Sequence, residues 1–295
     1  MLAQQILNGI VVGAVYGLFS LGLTLVFGLL RILNLAHGGV LMWGALTGLF
    51  AITKLDLGLP VAFLVGALGA GVISVLLELF VFRPLRRRQG GELSTIVASI
   101  GINLVLLSLA QQLTNSEILR FPFDTFPVVF YNIAGVRLSL QNIAILLAVF
   151  VMVIGLAAYL FRTSIGAEIR AVAVNERTSM LLGVNPSAVY AQVFFLAGML
   201  AGAAGVILGI AFNSVGYAMG EALMLQAFVV IVLGGLGSVV GSVAAGLLIG
   251  MIQAIAVAYI SSELSDAILF GLLFIVLLVR PTGLFSGLHV EHRAA

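Results

Sequence analysis

The sequence predicts an all-α integral membrane protein, a polytopic bundle of eight to nine transmembrane helices, one of which could be broken or re-entrant. Three observations lead there. The chain is 62% hydrophobic and only 8% charged, with mean hydropathy +1.26, whereas soluble domains carry about 25% charged residues. Such a chain cannot cover itself with polar surface in water, so its solvent is lipid. Apolar runs recur along its whole length, and most charged residues fall between them.

A helix rises ~1.5 Å per residue, so roughly 20 apolar residues cross the ~30 Å hydrocarbon core. Candidate spans in chain order are Ile6–Leu30, Gly38–Thr53, Pro60–Phe82, Leu93–Gln112, Leu140–Phe161, Tyr190–Phe212, Glu221–Val240, Ser242–Ile260 and Asp266–Val279. Gly38–Thr53 and Asp266–Val279 are short, and Gly234–Gly241 interrupts a long run. The first run carries no charge before Arg31, which suits a retained span better than a cleaved leader with a basic start. Residues 1–295 read as one transmembrane domain.

Orientation follows from the arginines. If Arg83-Pro84-Leu85-Arg86-Arg87-Arg88 is cytoplasmic, nine crossings also put Arg31, Arg162, Arg170, Arg177, Arg280 and Arg293 inside. Only Lys54, Arg120 and Arg137 then lie outside. This positive-inside bias predicts an external N-terminus and a cytoplasmic C-terminus. Residues 113–139 become an external loop, where Phe121-Pro122-Phe123-Asp124-Thr125-Phe126-Pro127 suits a compact interfacial cap. Residues 162–189 become a cytoplasmic segment read as a short helix-turn-helix. Helix formers fill Ala167–Leu182, and Gly183 with Asn185-Pro186 ends the run.

Small residues four apart mark helix faces that permit close approach: Gly9/Gly13/Gly17, Gly198/Gly202, Gly205/Gly209 and Ser242/Gly246/Gly250. A loose likeness between the glycine-rich first and last thirds is consistent with duplicated halves, as in many transporters.

Several function classes lack their residues. The chain has no cysteine, and its histidines are His37, His289 and His292, so no thiolate or clustered-histidine metal site is expected. There is no Walker A sequence; Gly235-Leu236-Gly237-Ser238 lies in an apolar run with no preceding strand. No Ser/His/Asp order is convincing, and no catalytic residue is assigned. The net charge of +2 comes without a basic patch interleaved with aromatics, so nucleic acid is not an expected partner.

Polar residues at membrane depth are the informative remainder, because burial in lipid is costly. In Arg31-Ile32-Leu33-Asn34-Leu35-Ala36-His37-Gly38-Gly39, Asn34 and His37 either interrupt a helix along a substrate path or cap the helices of a tight turn. Asn103, Gln111, Gln112, Gln226 and Gln253 could bond neighbouring helices or line a path. Candidates for a translocation path are Tyr16, Asn34, His37, Asn103 and Gln226. Glu78, Glu221, Glu263 and Asp266 fall near span ends, so uncharged amides suit a small polar or zwitterionic solute better than an ion relay. From these residues alone, an energy-coupled importer and a passive channel for a neutral solute such as urea or an amide both remain open. The segment from Gly166 to Glu176 is either a docking helix or an ordinary solvated one.

The chain resembles the LivH-like permease subunits of branched-chain amino acid ABC transporters almost end to end. The resemblance is carried by Gly22-Leu23-Thr24-Leu25-Val26-Phe27-Gly28 followed by Asn34-Leu35-Ala36-His37-Gly38, by Arg83-Pro84-Leu85-Arg86, and by Gly166 to Glu176 with Leu182-Gly183-Val184-Asn185. Ala197-Gly198 to Gly205, Ala227-Phe228-Val229-Val230 with Gly234-Gly235-Leu236-Gly237-Ser238, and Arg280-Pro281-Thr282-Gly283-Leu284-Phe285 complete it. The resemblance implies a non-catalytic subunit in the bacterial plasma (inner) membrane, paired with a LivM-like second permease. It also implies two cytoplasmic ATPase subunits, which would hold ATP and magnesium, and a periplasmic substrate-binding protein. This chain itself would bind no cofactor. By the same likeness, 166–185 becomes the coupling segment, with Glu168, Arg170, Asn175, Glu176 and Gly183 as contacts. Gly39 departs from the family, which often has an acidic residue after His-Gly.

Overall fold

A computed structural model of the protein describes residues 2–31, 34–88, 91–122, 125–127, 129–133 and 135–285. Ile32, Leu33, Phe123, Asp124, His289, His292 and Arg293, all used in the sequence reading, lie outside them. The helices are α1 (Leu2–Leu30), α2 (His37–Thr53), α3 (Leu59–Leu77), α4 (Arg83–Arg87), α5 (Glu92–Thr114), α6 (Leu140–Arg162), α7 (Ser164–Val174), α8 (Glu176–Leu181), α9 (Pro186–Phe212), α10 (Met219–Gly234), α11 (Val239–Tyr259) and α12 (Ser262–Val279). A π-helical turn, Glu78–Phe82, joins α3 to α4, and β1 (Phe130–Ile133) pairs antiparallel with β2 (Val136–Ser139).

Among the described residues, seven helices are long and apolar enough to cross a membrane: α1, the α3–α4 rod, α5, α6, α9, α11 and α12. The two shorter apolar helices are α2 and α10. The sequence had marked Asp266–Val279 as short, but the helix starts earlier, at Ser262, where the Ser261 hydroxyl accepts hydrogen bonds from the Glu263 and Leu264 amides. Instead α10 is short. It ends at Gly234 because Gly235 and Gly237 take φ of 91° and 89°, which only glycine adopts without strain.

The core lies around α1 and α9. Leu18, Phe19 and Leu21 of α1 and Phe194 of α9 are fully buried. Glycines set the helix spacing. A Cβ on Gly13 would lie 2.6 Å from the Gly246 carbonyl oxygen, and one on Gly9 would lie 2.6 Å from Met251 Cα, so α1 and α11 touch backbone to backbone. Thr24 and Ser242 share a hydrogen bond of 2.5 Å across the same seam. The α3–α9 seam is built alike, with Gly198 against the Ala70 carbonyl and Gly202 against that of Gly66. Helices α5, α6 and α12 sit outside and expose residues such as Leu104, Phe150 and Phe274. Helices apolar on all sides suit lipid contact.

The halves of the chain repeat one another. Ala36-His37-Gly38-Gly39-Val40-Leu41-Met42 opens α2, and Ala218-Met219-Gly220-Glu221-Ala222-Leu223-Met224 opens α10. Arg31 and Asn213, at matching positions before them, both take left-handed φ, 54° and 44°. α1 pairs with α11 as α9 pairs with α3, and α2 packs on α9 as α10 packs on α1. α1 and α9 run in opposite directions, so the repeat is inverted. The glycine-rich likeness of the first and last thirds has this physical basis.

One end of the bundle carries Arg83, Arg86, Arg87, Arg88, Arg162, Arg170, Arg177 and Arg280, and we call it the arginine end. The other holds the β-hairpin, anchored where Gln4 Oε1 accepts from the Arg137 amide and Gln4 Nε2 donates to the Arg137 carbonyl. There Leu119 also pairs with Val215. The hairpin forms part of 113–139, the segment expected to be a compact external cap.

Candidate functional site: a helix junction, a cavity and an exposed segment

α2 starts inside the bundle. Its first residue, His37, stacks on Phe19 of α1 at 4.8 Å between ring centroids. Phe19 lies 11 residues before the end of α1, and at ~1.5 Å per residue that is about 16 Å inward. The N-terminus of α10 meets α2 there: a Cβ on Gly38 would lie 2.7 Å from the Gly220 carbonyl oxygen. Two half-length helices therefore meet N-terminus to N-terminus at mid-depth, one leading to each end of the bundle.

A helix start leaves unpaired amides, which need partners when buried. α5 supplies them. Ser99 Oγ accepts from the Leu35 amide at 3.2 Å, and Asn103 Oδ1 accepts from the Gly39 amide at 3.0 Å. Asn34 Oδ1 accepts from the Ala36 amide at 3.1 Å. This bond joins Asn34 to the residue that precedes α2, inside the bundle. Asn34 Nδ2 is buried without a partner. His37 is fully buried, and neither ring nitrogen makes a hydrogen bond among the described residues. Asn103→Ala should strand the Gly39 amide at a cost of about 1–3 kcal/mol. Thermal unfolding in detergent would read this as a clear loss of stability; an unchanged midpoint would contradict the capping role.

Gly39 is explained by the same contact. A Cβ there would lie 2.8 Å from Asn103 Oδ1 and 3.0 Å from Leu106 Cδ1. An acidic side chain at this position would need the Asn103 and Leu106 side chains to shift. On α10 the matching residue is Glu221, which is exposed.

Tyr16 and Gln226 are not part of this junction. They line a cavity of about 180 Å³ between α1, α6, α9 and α10. Tyr16 donates to Gln253 Oε1 at 2.6 Å, while Gln226 Oε1 has no partner. The five path candidates thus separate into two groups: Asn34, His37 and Asn103 at the junction, and Tyr16 with Gln226 in the cavity. His37 stacks one turn of α1 away from Tyr16.

At the arginine end the run Ala167–Leu182 is not one helix. It breaks at Asn175, whose Oδ1 accepts from the Thr178 amide at 3.0 Å and so starts α8. Glu168 is half-buried, and the Arg170 guanidinium lies 5.4 Å from the Phe161 ring centroid. Glu176 opens α8, and Gly183 ends the turn after it with φ 87°. Sequence reasoning picked out polar residues here and passed over the apolar ones. Val174, Leu181 and Leu182 are 88%, 88% and 78% exposed among charged residues. Apolar side chains standing in a charged, connecting segment were the available signal.

An ion cluster at the same end ties α4 to the bundle. Glu78, fully buried in the π-helical turn, accepts from Arg86 Nη2 at 2.7 Å. Arg83 Nε lies 3.7 Å from the same oxygen, and Arg83 Nη2 donates to the Ser187 carbonyl at 3.0 Å. The Arg86 guanidinium also sits 3.8 Å over the Tyr190 ring. The Arg83-Pro84-Leu85-Arg86 sequence therefore clamps α3–α4 to the start of α9. Glu78→Gln leaves two partly solvated arginines without their counter-charge and should cost about 1–3 kcal/mol. A melting temperature equal to that of the parent protein would refute this role.

Two half-helices meeting inside an inverted repeat, a polar-lipped cavity and a solvent-facing apolar segment together define a multi-pass membrane protein of transporter type. The chain belongs to the branched-chain amino acid transport system permease component family, whose model matches residues 5–277. It is 31% identical over 299 residues to the high-affinity branched-chain amino acid transport system permease protein BraD of Pseudomonas aeruginosa, covering 98% of this chain and 97% of that one. It is 31% identical over 300 residues to the corresponding permease protein LivH of Escherichia coli, covering 98% and 96%. The ribose import permease protein RbsC of Haemophilus influenzae is 27% identical over 268 residues, covering 85% and 76%.

Proposed function

We propose that this chain is a transmembrane permease subunit of an ATP-driven importer for branched-chain or other neutral amino acids. End-to-end similarity to BraD and LivH carries the reading. All 295 residues act as one permease domain in a bacterial plasma membrane. The arginine end faces the cytoplasm, as the positive-inside rule favours. Residues 113–139 are then external, residues 162–189 are the cytoplasmic coupling segment, and the C-terminus is cytoplasmic.

The chain performs no chemistry itself. Two ATPase subunits hold ATP and magnesium and seat on α7–α8 through Val174, Leu181 and Leu182, with Glu168, Arg170, Asn175, Glu176 and Gly183 around them. A LivM-like second permease completes the path, and a periplasmic binding protein delivers the amino acid. Closure of the ATPases on ATP moves the segment, and the Glu78–Arg86–Tyr190 cluster passes the movement to α3 and α9. The driving force is the difference in ATP affinity between inward- and outward-facing states. Tyr16, Asn34, His37, Asn103 and Gln226 border the path. A passive channel is the weaker reading, since the relatives' names place them in transport systems with high affinity.

Gentle extraction of a tagged chain from its native membrane, with identification of its companions, tests the proposal. It expects two ATPases and a second permease. Recovery as a homo-oligomer that lets small solutes through liposomes without ATP would overturn it.

A further inference from the structure

The first turn of α10 carries a carboxylate at a depth where lipid is a poor solvent for one. Ala222 shares a cavity wall with Val12, Val15 and Tyr16 of α1. At ~1.5 Å per residue these three lie about 15 Å or more from either end of α1. The neighbouring Glu221 therefore stands near the middle of the ~30 Å hydrocarbon core. It falls at the end of a span, as the sequence suggested, but this span begins inside the bilayer. The side chain is exposed, and among the described residues every ion pair belongs to Glu78, so no cation of this chain answers it. Exposed charge at that depth is costly against lipid, and such residues face protein or water instead.

The inverted repeat shows what the chain itself withholds. α12 lies against α10 as α5 lies against α2. The buried residues of α12, Ser265, Leu269, Leu273 and Val276, repeat the spacing of Thr95, Ser99, Asn103 and Leu106 on α5. α5 lends Ser99 and Asn103 to the start of α2, whereas α12 has leucines at both places. On α10 itself, Leu225 and Phe228 follow Glu221 at i+4 and i+7 and are 56% and 36% exposed, so the three form one stripe. The stripe runs from a carboxylate at mid-depth through apolar side chains toward the arginine end. Apolar side chains along that length suit a dry seam between subunits better than a wet channel, with one polar group to fix the register.

We propose that this face of α10 is covered by the second permease, which sets a basic side chain against the Glu221 carboxylate. The inference rests on the importer reading and deepens it by placing the seam between the two permeases. Glu221 fixes the register of that seam, and Leu225 and Phe228 supply apolar packing on its cytoplasmic side.

The test uses the complete transporter with a distinct tag on each permease. A benzophenone amino acid replaces Leu225 in one preparation and Leu104, on the outer face of α5, in another. Irradiation in the membrane should join the Leu225 probe to the second permease and give no such adduct from the Leu104 probe. Glu221→Leu and Glu221→Asp are then compared by how much second permease stays on the tagged chain after detergent extraction. The leucine variant should retain at least about tenfold less, because removing one member of a buried charge pair strands the other. The aspartate variant, which keeps the charge, should retain most of it. Were the carboxylate merely exposed to lipid, Glu221→Leu would be neutral or favourable. No adduct at Leu225, equal adducts at both positions, or retention by Glu221→Leu equal to that of the parent overturns the seam. If the parent chain recovers no second permease at all, the importer reading itself has failed.

Discussion

Replacing Gly250 with leucine is expected to leave no stably folded protein in the membrane. A Cβ at this position would fall on the Gly13 backbone nitrogen and Cα, and α1 cannot retreat because Gly246 holds it against Gly17 one turn away. Overpacking ordinarily costs about 1–3 kcal/mol because side chains can shift. Here the obstruction is backbone on both sides, so the cost should exceed that range and separate α1 from α11. Native stabilities are only ~5–15 kcal/mol, and α1 forms the centre of the core. Size-exclusion chromatography of a fluorescently tagged chain should show aggregate in place of a monodisperse peak. Gly155→Leu is the matched control. Nothing lies within 4 Å of a Cβ there, and it should behave as the parent does. Equal behaviour of the two variants would show that the glycine seam does not hold the bundle together.

The double change Leu181→Asp with Leu182→Asp should abolish energised uptake and leave the fold intact. Both side chains are largely exposed, so replacing them removes little internal packing. At an interface, a buried apolar anchor is worth about 2 kcal/mol or more, and a carboxylate pressed into an apolar socket adds a desolvation cost. ATP-driven uptake should fall more than about tenfold, which corresponds to ~1.4 kcal/mol, with the detergent melting temperature unchanged. Arg170→Glu should act in the same direction but less strongly, because the guanidinium packs over Phe161 of its own chain. Normal uptake by the double variant would remove the coupling role from α8.

Much of the bundle was legible because hydropathy and length mark a lipid-crossing helix without knowledge of its neighbours. The stripes Gly9/Gly13/Gly17 and Ser242/Gly246/Gly250 were visible too. That they face each other was not, since periodicity names a face and says nothing of what covers it. The short helix α2 could be anticipated from Gly38–Thr53, yet its start deep in the bundle depends on α5 lending Ser99 and Asn103, contacts made far along the chain. α10 was harder, because Leu236 and Val239-Val240 continue an apolar run past the glycine turn that ends the helix. The β-hairpin was not anticipated, because the prolines and aromatics before it pointed only to a compact cap, while its own turn signal is the single Gly135. In the candidate site, polarity drew attention to Asn175 and Glu176. Asn175 proves to cap α8, and exposure, which a sequence does not record, singles out Leu181 and Leu182.

Uptake of radiolabelled L-leucine into proteoliposomes would show whether this chain serves an ATP-driven importer. The vesicles would hold this chain with its companion permease and ATPases, with the loaded binding protein outside and ATP within. Leucine should accumulate above its external concentration only with ATP, and accumulation should stop when the binding protein is left out. Leucine entry that merely equilibrates, at the same rate with or without ATP, would contradict that role.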